Sequence, residues 1–160
     1  MKLIDYAESQ GKTNFEWHSR VNETTRQEAN ITLGFLLTGG AASIAWAISN
    51  LAGADPSRPL DAAVIALAVW LFGIAMGVVF LCLNFAPSMP PANHPSNVYL
   101  PEFNTESIRR VQLDYLENAI ILSIAKGQRR AKFLYRLRLL TCLSPAVFLV
   151  AWRLSLLWLR

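Results

Sequence analysis

Two histidines and two cysteines are all that this 160-residue sequence offers for soft-metal or imidazole chemistry. His18 lies in a charged N-terminal stretch and His94 in a proline-rich one. Neither has an arginine four to six residues before it, so the Arg-to-His spacing of ribonuclease-type toxins is missing. There is no His-Glu-x-x-His, no phosphate-binding P-loop, no nucleophile elbow and no Cys-x-x-Cys. Cys82 and Cys142 fall inside apolar runs and read as small apolar side chains. The expectation is a protein that is not an enzyme, with no metal site and no cofactor.

What remains for function is charge and packing. The run Lys126-Gly127-Gln128-Arg129-Arg130-Ala131-Lys132-Phe133-Leu134-Tyr135-Arg136-Leu137-Arg138 is strongly basic. Its cations Lys126, Arg129, Arg130, Lys132 and Arg136 are candidate contacts for an anionic ligand or for lipid headgroups. The second candidate set is small residues. Gly73 and Gly77 make a GxxxG step, and Gly39, Ser43 and Ala47 repeat that spacing. Small side chains let helix backbones approach closely, and in lipid such packing drives association. Gly39, Ser43, Gly73 and Gly77 are therefore candidate packing residues, within one chain or between copies in a homo-oligomer.

These residues need elements to hold them, and composition says what kind. Hydrophobic residues make up 53% of the chain and charged residues 16%, against about 25% charged in soluble domains. Residues 29–54 form 26 positions without a charge, and 62–86 form 25 more. A helix needs about 20 such residues to cross the hydrocarbon core. A third run, 139–159, has one arginine near its outer end, Arg153, which can snorkel to the interface. Pro145 should kink that helix. The expected fold is an all-α membrane protein with three transmembrane helices and a long cytoplasmic helix leading into the third.

Lysine and arginine counts orient it. There are four in 1–28, one in 55–61, eight in 87–138 and two after that. The positive-inside rule then places the N-terminus and 87–138 in the cytoplasm, with the 55–61 loop and Arg160 outside. Residues 1–28 read as a cytoplasmic helical segment and lack the short apolar core of a cleaved signal. Residues 87–103 read as a linker, because five of the eight prolines fall in 87–101.

A cytoplasmic helix over 104–138 follows, with Asn104 or Thr105 as its cap. Ile108, Val111, Tyr115, Ala119 and Leu122 form one apolar stripe, and Leu113, Leu116, Ile120 and Ile124 a second. A helix lying on a membrane needs one apolar face. Two faces suit a helix packed between two neighbours, here the N-terminal segment and another subunit.

Several strings in this layout resemble the small membrane effectors of Pycsar-type bacterial anti-phage defence. They are Arg26-Gln27-Glu28-Ala29-Asn30-Ile31-Thr32-Leu33 at the start of the first span and Leu83-Asn84-Phe85-Ala86-Pro87 at the end of the second. Ile121-Leu122-Ser123-Ile124-Ala125-Lys126, followed by Arg129 to Arg138, is similar to the cytoplasmic helix and the basic, tyrosine-bearing approach to the last span. The resemblance implies an effector of the bacterial inner membrane. On activation it oligomerises, disrupts membrane integrity, and causes growth arrest or cell death of the infected cell. No region is long enough for a separate cyclic-nucleotide-binding domain. The trigger is thus left open between a nucleotide messenger and a cytoplasmic sensor protein. The other partners are the lipid bilayer and copies of the chain itself, with no direct nucleic-acid binding expected. The alternatives are a holin-like or toxin-type lysis protein and a membrane-anchoring scaffold subunit for a cytoplasmic enzyme.

Overall fold

A computed structural model describes residues 3–52, 58–83 and 104–158. These residues form helices, and no strand occurs among them. Helix α1 runs Leu3–Leu51 and α2 runs Arg58–Val78, continued by a π-helical turn, Val79–Leu83. Helix α3 runs Thr105–Cys142 and α4 runs Ser144–Trp158. The fold is all-α. Two helices, α1 and α2 with its π turn, are long and apolar enough to cross a membrane. The bent pair α3–α4 is a third candidate. The expected loop residues Asp55 to Ser57, the linker 87–103 with His94, the string Asn84 to Pro87, and Arg160 lie outside the described residues.

Local chemistry sets the helix ends. Pro59 falls in the first turn of α2, where its missing N–H leaves no bond unmade. Asp61 shares that turn, where a carboxylate complements the helix dipole. Of the residues expected in the 55–61 loop, 58–61 are helical, because α2 begins at Arg58, and Asp61 is buried at 2% exposure. Asn104 caps α3, its Oδ1 accepting from the Glu106 N–H at 3.4 Å. Between α3 and α4 the helix breaks at Leu143 with a bend of 42°. Pro145 explains the break, because it donates no N–H and its ring would collide with the Thr141 carbonyl in a continuous helix.

The chain divides into two compact units. The first comprises residues 1–25 and 86–130, and the second residues 26–85 and 131–160. Helices α1 and α3 each contribute a segment to both.

Among the described residues of the first unit, Leu116, Ser123 and Arg130 are buried. Leu116 sits over Gly11, where an added Cβ would come within 2.6 Å of its Cδ2. The second unit has an apolar core. Ala29 and Leu36 from α1 meet Ile74, Ala75 and Val78 from α2, Cys82 from the π turn, and Leu134 and Leu137 from α3. Helix α4 lies against α2 and buries no residue of its own.

Candidate functional site

Three polar contacts in the first unit join residues far apart in sequence. Near the start of α1, Asp5 and Glu8 hold Arg109 of α3, with Nη2 to Asp5 Oδ1 at 2.7 Å and to Glu8 Oε2 at 2.9 Å. Farther along, Asn22 Nδ2 donates to the Ser123 hydroxyl at 2.8 Å and to the Ser123 carbonyl at 3.2 Å. One turn on, Gly127 meets the other end of the same amide. A Cβ at Gly127 would collide with Asn22 Oδ1. Gly127 therefore lets the two backbones approach closely enough for Asn22 to reach Ser123. Lys12 adds a helical-spacing pair to Glu8 at 2.8 Å. The Glu8 carboxyl lies below its ordinary value, held down first by the Lys12 hydrogen bond and then by Arg109. A groove of about 640 Å³ opens beside this fork, lined by Ile4, Ala7, Thr105, Arg109 and Arg110.

The basic run is less uniform than its sequence. In the first unit Lys126 is half-buried, Arg129 is exposed, and Arg130 is only 7% exposed. Arg130 is thus the most enclosed of the five candidate cations. In the second unit Lys132 and Arg136 are exposed. Arg138 pairs with Glu28 at 3.0 Å and donates to the Thr32 hydroxyl at 3.4 Å.

The small residues also divide. A Cβ at Gly39 would touch Leu71 at 3.4 Å, and Ser43 donates back to the Gly39 carbonyl at 2.8 Å. A Cβ at Gly77 would come within 3.0 Å of Leu137. Gly39 and Gly77 are therefore used inside the chain, by α1–α2 and α2–α3 contacts. Gly73, like Gly34, has open space where a side chain would stand. It lines an apolar groove of about 370 Å³ with Ala66, Val69, Trp70, Leu140 and Val147. The GxxxG step is split, one glycine filled from within and one uncovered.

Two features escaped the sequence reading. Thr32, Ser43 and Ser49 bond back to their own helix, whereas Asn50, another of the mildly polar residues dotted along the first span, also reaches a second helix. Its Nδ2 donates to Asp61 Oδ1 at 2.9 Å, linking α1 to α2. The other carboxylate oxygen of Asp61 is buried without a hydrogen-bond partner. The second feature is the Asn22–Ser123 clamp. A helix pattern shows that a polar residue lies on the inner face, but not which residue 101 positions away completes it.

The remaining reactive side chains are dispersed. The His18 ring stands edge-on to Trp17 at 4.7 Å. Cys82 is buried in the core and Cys142 is exposed at the end of α3. Among the described residues no three His, Cys, Asp or Glu side chains converge on a metal position. Comparisons with protein-family models, with curated proteins and with solved structures give no match.

Proposed function

We propose that this chain is a multi-pass effector of the bacterial inner membrane. In this reading it has three spans and a cytoplasmic N-terminus, and a signal acting on its cytoplasmic helices makes the membrane permeable. The observation that carries the reading is the double use of α1 and α3. Each is unbroken, α1 from Leu3 to Leu51 and α3 from Thr105 to Cys142. Each is clamped to the other by polar contacts in the first unit and enters the apolar core of the second. A shift of the clamp is thus a shift of helices that also build the membrane part. Packed helices of this kind change in discrete steps.

A trigger must favour the active arrangement by about 3–5 kcal/mol to switch most molecules. Arg129, Lys132 and Arg136 are the exposed cations that would meet an anionic trigger or lipid headgroups.

A voltage-sensitive dye in cells carrying the chain with its genomic neighbours tests the reading. Phage infection should depolarise the membrane. Arg129→Glu with Lys132→Glu should abolish the response while membrane insertion persists. Protection from phage at an unchanged membrane potential would replace this reading with that of an anchoring scaffold, which the first unit's clamp also suits.

A further inference from the structure

The described residues of the first unit cover the two apolar stripes of α3 unequally. Leu116 is buried, and Leu113, Ile120 and Ile124 are half-buried on the face that carries Ser123. The other stripe is more open: its Ala119 is half-buried, but Val111 is 51% exposed, Tyr115 62% and Leu122 60%. With half-buried Ile108 and exposed Asn118 and Ala125, these last three sit at alternating steps of three and four. That is the spacing of a coiled-coil seam.

We propose that this stripe is a parallel two-stranded seam that takes a second copy of the same chain. The proposal rests on the membrane reading above, and four observations select the occupant. The first is charge. Residues 104–125 hold Arg109 and Arg110 against Glu106, Asp114 and Glu117, and Arg109 is already held by Asp5 and Glu8. This segment is not basic, so an anionic lipid surface or a nucleic acid gains nothing from it. The seam positions from Ile108 to Ala125 carry no charge, so two copies meet without repulsion.

The second observation is direction. Helix α3 continues to Cys142 and on through the break into α4. Copies inserted in one bilayer therefore present α3 with the same polarity, and only a parallel pairing is open to them. The third is size. A single narrow stripe is smaller than the roughly 800 Å² per partner of standard interfaces formed from free solution. Copies confined to a membrane meet at a high effective concentration, and a small seam then suffices. The fourth is register. Asn118 is the one polar residue among those six positions. A single amide in an apolar seam pairs best with its own copy and fixes the stagger. Arg129 and Lys132 occupy the next two positions of the same repeat, where each would face its own copy. The uncharged stripe thus ends at Ala125.

The test is disulfide scanning of the full chain in its membrane, in a Cys82→Ala, Cys142→Ala background. Val111→Cys, Tyr115→Cys and Leu122→Cys should crosslink copies about tenfold more than Arg110→Cys or Glu117→Cys on the opposite side. A disulfide closes only when the Cα atoms lie within about 7 Å, so position decides the yield. Tyr115→Glu should lower crosslinking at Leu122→Cys without changing helicity by circular dichroism. Equal yields at all positions would overturn the seam, and so would crosslinking confined to Gly73→Cys in the groove of the second unit. An environment-sensitive dye on Tyr115→Cys that responds to anionic vesicles, with no crosslink, would overturn it in favour of a lipid surface. The two proposals fail separately. Crosslinks along the stripe in cells that never depolarise leave the seam standing and remove the effector. Depolarisation without crosslinks does the reverse.

Discussion

Asn22 and Leu36 lie on the same helix, α1, and through Ala29 on the same face of it, yet they meet different kinds of neighbour. Asn22, in the first unit, is half-buried and hydrogen-bonds Ser123. Leu36, in the second, is 2% exposed and packs into an apolar core with Ile74, Val78 and Leu137. The stripe of α1 that faces inward is continuous, but its chemistry changes along it. In the first unit, close approach is made by glycines at 11 and 127, and specificity comes from one amide and one arginine fork. In the second unit, burial is extensive, and Glu28–Arg138 and Asn50–Asp61 provide polar contacts. A unit held by few buried groups opens at low free energy, whereas a unit with a contiguous core does not. The first unit is therefore where a modest signal can change the structure.

Substitutions can break this contrast, and Gly127→Leu should have the largest effect. It forces Asn22 off Ser123 and overpacks the helix contact, at a cost of about 3 kcal/mol. Hydrogen exchange should speed up across residues 3–25 and 105–130 and stay slow across 29–51. Equal loosening in both segments would show that the units do not open separately. Leu137→Ala tests the other side. It empties the position against Gly77 and should cost about 2–3 kcal/mol, near the low end for core leucines. The protection should now be lost from the apolar segments.

Asn22→Ala is gentler, at about 1–2 kcal/mol, because it leaves the buried Ser123 hydroxyl without its donor. Ser123→Ala in the same chain should recover part of that loss, measured as the coupling in a double-mutant cycle.

Acid should have the smallest effect. The Glu8 carboxyl is depressed in the folded chain, so its contribution is present above the ordinary carboxylate range. It fades as pH falls through the lowered value, when the protonated group can no longer hold Lys12 and Arg109. Protection factors near residues 5–12, corrected for the intrinsic pH dependence of exchange, should fall in acid in the wild type and change less in Glu8→Gln. An unchanged profile would mean that the fork contributes nothing measurable, as many exposed ion pairs do.

Much of the fold was legible because uncharged runs of membrane-spanning length mark helices directly. The uncharged stretches 29–54 and 62–86 correspond to the end of α1 and to α2 with its π turn. Pro145 and Asn104 mark a bend and a cap whose causes are local. The two stripes of α3 could be counted from the sequence, but which one is covered could not. Coverage depends on the face α1 presents, which the spacing within α3 does not contain. The GxxxG step had the same weakness. Gly73 and Gly77 are identical in sequence terms, and only the position of Leu137 separates them. Asp61 was placed outside the helix because a charge beside prolines reads as loop. Its burial depends on Asn50, a residue of another helix.

In the three-span arrangement proposed above, the break at Leu143 has a consequence for the thickness of membrane the chain can occupy. Helix α4 has 15 residues, which at 1.5 Å each gives only about 22 Å of helix. A typical hydrocarbon core is about 30 Å thick. Spanning it requires Leu139 to Cys142, on the far side of a 42° bend, to share the apolar layer. A kinked span is shorter across the bilayer than a straight one of equal length. The chain should therefore prefer thin bilayers, or thin the lipid around α4, and its assembly should weaken as acyl chains lengthen.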